Sequence, residues 1–207
     1  GGHTDTHAVE VDGRALRAVT GFIVHNPVHY PLLTRLFDEL GVASQATAMS
    51  FSVQDARSGL EYNATSLDTL FCQRRTLASP QFWGMLRELA RFYREAPALL
   101  EGDATGPTLG DWLQAGGYGD AFRDEHLVPM ASALWSSPPQ GILAFPARYL
   151  VQFMANHHML TLGTRPPWRV WTGGSAPYGE ALGRRWRVQE RMSSAVLAVR
   201  RDDDGGG

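Results

Sequence analysis

Hydrophobic and polar residues alternate in two stretches of the first 62 residues, and this period of two predicts β-strands. The first pair of strands covers residues 7–11 and 15–19, joined by the Asp-Gly dipeptide at 12–13 that is typical of tight hairpin turns. The second pair covers residues 49–53 and 60–62. The sequence therefore predicts two β-hairpins.

Helical periodicity appears next, at two well-defined places. One apolar face ends before Gly41, a residue type that favours helix ends, and consists of Leu32, Leu33, Leu36, Phe37 and Leu40. The other begins with a Ser79 cap and Pro80 in the first turn, and places Phe82, Leu86, Leu89 and Tyr93 on one face.

From Ser79 onward the chain is predicted to be mostly helical, with Pro129 kinking or splitting one helix and Pro146 opening another. Strand character returns at residues 168–171 and again around Val196. This order of strands, helices and strands predicts an α+β protein in which a helical domain is inserted into a β-containing one. The predicted segments are 1–62, 63–167 and 168–207.

Charge and composition narrow the classes of function. A formal net charge of −2 gives no electrostatic reason to expect nucleic acid as a partner. No apolar run is long enough to cross a bilayer, so no integral membrane segment is predicted. Cys72 is the single cysteine, which excludes an internal disulfide and favours a reduced, cytoplasmic setting.

The histidines are the first candidates for chemistry. His3 and His7 are four residues apart, but in a strand such residues lie about 13 Å from each other, so no metal site is predicted. His25 and His29 flank Asn26-Pro27 in a predicted turn, and His157-His158 are predicted to end a helix on different faces.

A wider pattern links these segments. The chain resembles the FAD-dependent amine oxidase and phytoene desaturase superfamily, and most closely its bacterial predicted NAD/FAD-binding amine-oxidase-like members. The resemblance runs through most of residues 1–182 in the family's order. It is carried by "GGHTDTHAVEVDGR", "TGFIVHNPVHYPLLTRLFDELGV", "MSFSV", "FCQRRTLASPQFWGMLRELARF", "FRDEHLVPMASALWSSPPQGILAFPARYLVQFMANHHML" and "WRVWTGGSAPYGEAL".

The resemblance implies FAD as cofactor and a set of residues close to it. Glycine pairs would let the backbone approach the cofactor, and His3 would lie near its phosphates. The implied contacts are Gly1, Gly2, His3, Thr20, Gly21, Gly173, Gly174 and, by the weakest match, Val196. Relatives commonly carry Asp before the Thr-Gly pair, whereas this chain has Val19.

The family's GxGxxG motif, with its strand-helix-strand unit, is missing from the sequence. We therefore expect an internal fragment of a longer protein. Residues 1–62 would belong to an incomplete α/β FAD-binding fold with the start of the substrate region, 63–167 to a helical substrate domain, and 168–207 to the return to the FAD-binding domain.

The resemblance implies an oxidoreductase that takes a hydride from a C–N or C–C bond of a small molecule, either an amine or an apolar unsaturated compound, onto flavin. No catalytic residue is assigned, and the isolated fragment is expected to be inactive. Candidates for the substrate cavity are His25, Asn26, Trp135, Tyr149 and Trp171, with the aromatic residues equally consistent with core packing. The alternative is a helical binding or scaffold module that does not bind flavin.

Overall fold

The computed structural model describes residues 4–21, 23–101, 106–161, 167–187, 189, 191 and 193–199. Their strands and helices follow one another in this order: Thr6–Val11 (β1), Arg14–Val19 (β2), Pro31–Leu40 (α1), Ser44–Thr47 (β3), Ser52–Asp55 (β4), Leu60–Asn63 (β5), Leu67–Leu70 (α2), Pro80–Glu95 (α3), Leu109–Ala115 (α4), Asp120–Phe122 (α5), Val128–Trp135 (α6), Pro139–Leu143 (α7), Ala147–Asn156 (α8), Trp168–Trp171 (β6) and Ala176–Arg185 (α9). Short 3₁₀ turns at Arg74–Ala78 and Ala96–Leu100 and a π-helical turn at Arg123–Leu127 complete this part of the chain.

Both predicted hairpins are confirmed. β1 and β2 pair antiparallel from Thr6 opposite Val19 to Val11 opposite Arg14. Asp12 and Gly13 have φ of 50° and 71°, the left-handed backbone that a tight hairpin turn needs. β4 and β5 form the second antiparallel pair. β3 and β6 form the remaining two-stranded sheet in the described part of the chain, so the fold class is mixed α+β.

The two predicted amphipathic helices are also confirmed. In α3 the Ser79 hydroxyl accepts a hydrogen bond from the Phe82 N–H at 3.2 Å, and proline occupies the first turn. α1 ends before Gly41, whose φ of 69° is the left-handed conformation of a helix C-terminus. One position of the predicted apolar face of α1 is wrong, because Leu32 in its first turn is 72% exposed.

Pro129 changes the helix in which it lies, as predicted. A proline has no N–H, so it cannot donate the α-helical hydrogen bond to the carbonyl of Glu125, four residues earlier. The backbone of Arg123–Leu127 widens into a π-helical turn immediately before α6. A single residue of the sequence, Pro129, therefore accounts locally for the π-helical turn.

The chain divides into two compact units, each built from separate segments. Unit 1 contains the described residues of 1–23, 32–45 and 171–207, and unit 2 contains those of 24–31 and 46–170. Unit 2 holds β4, β5 and helices α2 to α8. Its hydrophobic core is formed by Val53, Leu60, Tyr62, Phe71, Phe82, Met85, Phe92, Ala96, Leu109, Leu113, Tyr118, Phe122, Leu127, Val128, Met130, Ala131, Ile142, Ala147, Leu150, Val151 and Met154.

Unit 1 has a smaller core of aromatic rings. Phe37 of α1 packs against Trp171 and Tyr178, with ring centroids 5.2 and 5.4 Å away, and Trp171 and Tyr178 contact each other at 5.2 Å. Trp171 is 3% exposed. In the described ranges no helix is long and apolar enough to cross a membrane.

Candidate functional site

Three of the residues implied to contact FAD, Gly1, Gly2 and His3, lie outside the described residues. Five others lie in unit 1: Thr20, Gly21, Gly173, Gly174 and Val196. The cavity candidates His25, Asn26, Trp135 and Tyr149 lie in unit 2, whereas Trp171 lies in unit 1.

Thr20 is anchored by an acid from the start of the hairpin. Its N–H donates to the Asp5 carbonyl at 3.2 Å, and its hydroxyl donates to Asp5 Oδ2 at 2.8 Å. His7 Nε2 lies 2.9 Å from the same oxygen. The hydrogen bonds from Thr20 and then His7 lower the pKa of Asp5. A carboxylate therefore lies beside this Thr-Gly pair, although Val19 stands where the resemblance implies an aspartate.

Gly173 and Gly174 form the turn between β6 and α9, and both have left-handed backbone, with φ of 83° and 87°. A Cβ on Gly174 would lie 2.7 Å from Thr6 Cγ2 and 3.3 Å from Val19 Cγ2, so this position must be glycine for the turn to pack on the hairpin. Gly173 is exposed, and a Cβ there would meet nothing closer than 3.6 Å. Gly173 is therefore the glycine whose backbone a ligand can reach.

The N-terminus of α9 is already occupied within unit 1. Thr6 Oγ1 accepts from the N–H groups of Ser175 and Ala176 at 3.0 and 3.1 Å, and it lies 3.0 Å from Ser175 Oγ. Helix N-termini favour anions because of such N–H groups. Here a hydroxyl takes two of these donors, so this end of α9 is not open for a phosphate.

Val196 lies in a stretch without regular structure. Residues 194–199 form no strand, and the side chain of Val196 is 79% exposed. The strand predicted around Val196 is therefore wrong. The sequence pattern of "AVLAV" favours a strand, but a strand forms only when a neighbouring strand pairs with it, and the described residues supply none.

Trp135 and Tyr149 belong to one aromatic group in unit 2. The Trp135 ring lies 4.8 Å from Phe153, 5.6 Å from Phe145 and 5.8 Å from Tyr149. Tyr149 is 55% exposed. The two candidates are thus in contact with each other and accessible from the surface of unit 2, whereas Trp171 is buried in the core of unit 1.

His25 and Asn26 are buried, with 2% and 0% of their surface exposed. The His25 backbone pairs with Arg169 through two hydrogen bonds of 3.0 and 2.8 Å. Asn26 Oδ1 accepts from the His29 N–H at 2.8 Å, and its carbonyl accepts from the Tyr30 N–H at 3.1 Å. Asn26 therefore holds the turn that Pro27 preorganises, which is the usual work of an asparagine in this position.

The same turn places His29 close to His157 and His158, beside Tyr30. We call these four residues the histidine cluster. The His29 ring lies 5.4 Å from His157 and 5.1 Å from His158. Both helix-end histidines thus approach one place, and the prediction that they point to different faces is wrong. The reason is that α8 ends at Asn156, and His158 turns back with a left-handed φ of 52°.

Hydrogen bonds fix the protonation of His29. Asn26 Nδ2 lies 2.7 Å from His29 Nδ1, and because Asn26 Oδ1 is used by the His29 N–H, the amide must donate to Nδ1. The proton of the neutral ring is therefore on Nε2, which is buried without a hydrogen-bond partner. Burial first, and then the neighbouring His157 and His158, lower the pKa of His29.

The rings of the cluster do not form a metal site. Within the part of the chain that the structure describes, no three His, Cys, Asp or Glu side chains are arranged to hold a metal ion. His157 donates or accepts locally instead, with Nδ1 2.9 Å from the Phe153 carbonyl and Nε2 3.3 Å from the Tyr30 hydroxyl.

A second polar group was not predicted from the sequence. The Tyr62 hydroxyl donates to the Glu125 carbonyl at 2.9 Å and lies 2.8 Å from His126 Nδ1, all in the core of unit 2. Because the hydroxyl proton goes to the carbonyl, His126 donates from Nδ1. Burial, and then the charge of Glu125, raise the pKa of Tyr62, which keeps the phenol protonated. The sequence signal for this contact was Pro129. Because a proline four residues after Glu125 cannot donate to the Glu125 carbonyl, that carbonyl needs another hydrogen-bond donor.

Two clefts flank this group in unit 2. The larger, about 450 Å³, is bordered by Phe51, Val53, Asp55, Asp124 and Pro129, among others. The smaller, about 200 Å³, includes Glu125, Arg75 and Gln81 in its lining. In the larger cleft both carboxylates are paired, Asp55 with Arg57 and Asp124 with Arg123.

Comparison with protein-family models and with curated proteins finds no match for this chain.

Proposed function

We propose that this chain is part of a FAD-dependent oxidoreductase of the amine-oxidase type, which transfers a hydride from a C–N or C–C bond of a small molecule to flavin. The observation that carries the proposal is the order of segments. Unit 1 is built from early and late parts of the chain, and unit 2, with most helices, comes largely from residues 46–170 between them. A helical unit inserted into a β-containing one is the arrangement that the resemblance implies.

The turn at Gly173 supports the proposal and indicates which glycine of the pair would contact the cofactor. Gly173 is exposed, left-handed and uncrowded, so its backbone can approach a planar ring, and its carbonyl is held by Arg17 Nη1 at 3.2 Å. Gly174 and the N-terminus of α9 are used by Thr6. Of the glycine pair, we therefore assign cofactor contact to Gly173 and a packing role to Gly174.

The flavin would supply the redox chemistry, and the protein would hold and orient it. The Thr20 hydroxyl donates a hydrogen bond to Asp5, whose lowered pKa favours a negative charge at this end of the hairpin. Such a fixed carboxylate orients the Thr20 hydroxyl and tunes the local potential.

The test uses the chain as printed and the protein encoded by any longer reading frame that contains it. We expect the printed chain to form no stoichiometric complex with FAD, because it lacks a GxGxxG for the pyrophosphate. We expect the upstream DNA to encode that motif about 35 residues before Gly1, and the longer protein to purify with bound flavin, read by its absorbance.

Gly173→Ala in the longer protein tests the assigned contact, with Gly13→Ala as its matched control. Both glycines have left-handed backbone and no close neighbour, so both substitutions carry similar strain. Only Gly173→Ala should lower FAD occupancy. A longer frame without the motif and without flavin would overturn the proposal.

The second candidate is a helical binding or scaffold module. It is favoured by one observation, that the 21-residue hydrophobic core described above lies wholly in unit 2. Absence of flavin from the longer protein, together with a saturable ligand for unit 2 alone, would support this candidate instead.

A further inference from the structure

The smaller cleft of unit 2 contains a buried carboxylate, that of Glu125, which receives only weak hydrogen bonds. Its volume of about 200 Å³ is below the range of roughly 300–1,000 Å³ usual for drug-sized ligands, so only a small molecule fits. Most of the residues that line it have polar side chains, among them Gln73, Arg75, Gln81 and Glu125.

Glu125 is 7% exposed, and its two carboxylate oxygens lie 3.5 and 3.4 Å from the same nitrogen, Gln81 Nε2. An ordinary N–H···O bond is about 2.9 Å long, so both contacts are weak. Among the described residues no cation forms an ion pair with Glu125. Buried charges are normally paired, and an incompletely satisfied one calls for a further partner.

The backbone of Glu125 is held in place by its surroundings. Glu125 lies in the π-helical turn before Pro129, and such turns occur often at functional sites. The Tyr62 hydroxyl, donating to the Glu125 carbonyl at 2.9 Å, fixes the residue to β5. The fold therefore fixes the backbone from which the Glu125 side chain enters the cleft.

The lining also contains one cation. The Arg75 guanidinium donates to the Gly59 carbonyl at 2.5 Å and to Gln73 Oε1 at 3.2 Å, and neither acceptor carries a formal charge. Arg75 is exposed, whereas Glu125 is buried. The cleft thus has a negative group in its interior and a positive group at its solvent side.

We propose that this cleft binds a small molecule with a primary ammonium group, which donates hydrogen bonds to Glu125, and that a carboxylate on the same molecule faces Arg75. An ammonium supplies the charge and the short donors that the Gln81 amide does not. The binding needs no flavin, so it goes beyond the proposed oxidoreductase function and stands or falls separately.

The test is calorimetric titration of the printed chain, without FAD, by β-alanine, n-propylamine and propionate. We expect β-alanine to bind most tightly, n-propylamine more weakly and propionate not at all. Glu125→Gln keeps the shape and removes the charge, and should weaken β-alanine binding at least about tenfold. Glu180→Gln removes an exposed carboxylate of α9 and should leave binding unchanged.

Three outcomes would overturn the proposal: no saturable binding of either amine, propionate binding more tightly than both amines, or unchanged affinity in Glu125→Gln. If Glu125→Gln fails to fold, Gln81→Phe replaces it. Gln81 is an exposed position of α3 at the cleft, where a ring covers the opening without entering the core. We expect Gln81→Phe to abolish β-alanine binding while the chain still unfolds cooperatively, and wild-type affinity in this variant contradicts the proposal.

Discussion

Replacing Tyr62 with phenylalanine removes one oxygen that serves two buried partners. The ring stays, with its edge-on contact to Phe82 at a centroid distance of 5.7 Å. The Glu125 carbonyl loses the donor at 2.9 Å, and His126 Nδ1 loses the acceptor at 2.8 Å. The perturbation is therefore confined to hydrogen bonding in the core.

The size of the effect follows from the burial of both partners. Tyr62 is 2% exposed and His126 4%, so water cannot easily replace the hydroxyl. Leaving a buried polar group without its partner costs about 1–3 kcal/mol, and two groups are affected here. We expect Tyr62→Phe to lower the free energy of unfolding by about 2–6 kcal/mol, which lowers the melting temperature by roughly 4–24 °C in a chain of this length.

The measurement is urea unfolding followed by circular dichroism, with thermal unfolding as a second readout. Tyr149→Phe is the matched control, because Tyr149 is 55% exposed, and this variant should change the free energy of unfolding by less than about 0.5 kcal/mol. If Tyr62→Phe is as stable as Tyr149→Phe, the two buried hydrogen bonds of the Tyr62 hydroxyl do not stabilise the core and our account of this polar group is wrong.

Two further perturbations test the turn and the histidine cluster. Gly174→Ala should destabilise the chain by about 2–5 kcal/mol in urea unfolding, since its Cβ would meet Thr6 at 2.7 Å in a left-handed backbone, against about 1–2 kcal/mol for the uncrowded Gly13→Ala; equal losses would refute the packing role. The pKa of His29 is lowered in the folded state, so the unfolded state binds more protons and stability should fall as pH drops below about 6.5. Comparing urea midpoints at pH 7.5 and 5.5, His29→Gln should show a smaller loss than the wild type, and an identical loss would contradict this assignment.

Local signals were sufficient for much of the secondary structure. The Asp12-Gly13 dipeptide fixed a hairpin, and Ser79 with Pro80 marked the start of α3, because turns and caps depend on the backbone preferences of the residues themselves. Val196 shows where such signals end. Its β-branched surroundings favour a strand, but pairing needs a partner from elsewhere in the chain.

The candidate sites were less predictable for the same reason. His25 and Asn26 were singled out by their turn, yet their burial and the role of Asn26 in orienting His29 emerge only in the folded chain. His29 and His157 are 128 residues apart in sequence and 5.4 Å apart in space. No periodicity reports such a contact.

The sequence by itself determined the hairpins, the amphipathic helices, the left-handed glycines and the break at Pro129, since each depends on residues within one or two turns of one another. Only the tertiary structure decided that Tyr62 donates to the Glu125 carbonyl, that Thr6 caps α9 and that Gly174 has no room for a side chain. These contacts join segments far apart in the chain, and they follow from packing and the need to satisfy buried polar groups, which local patterns do not encode.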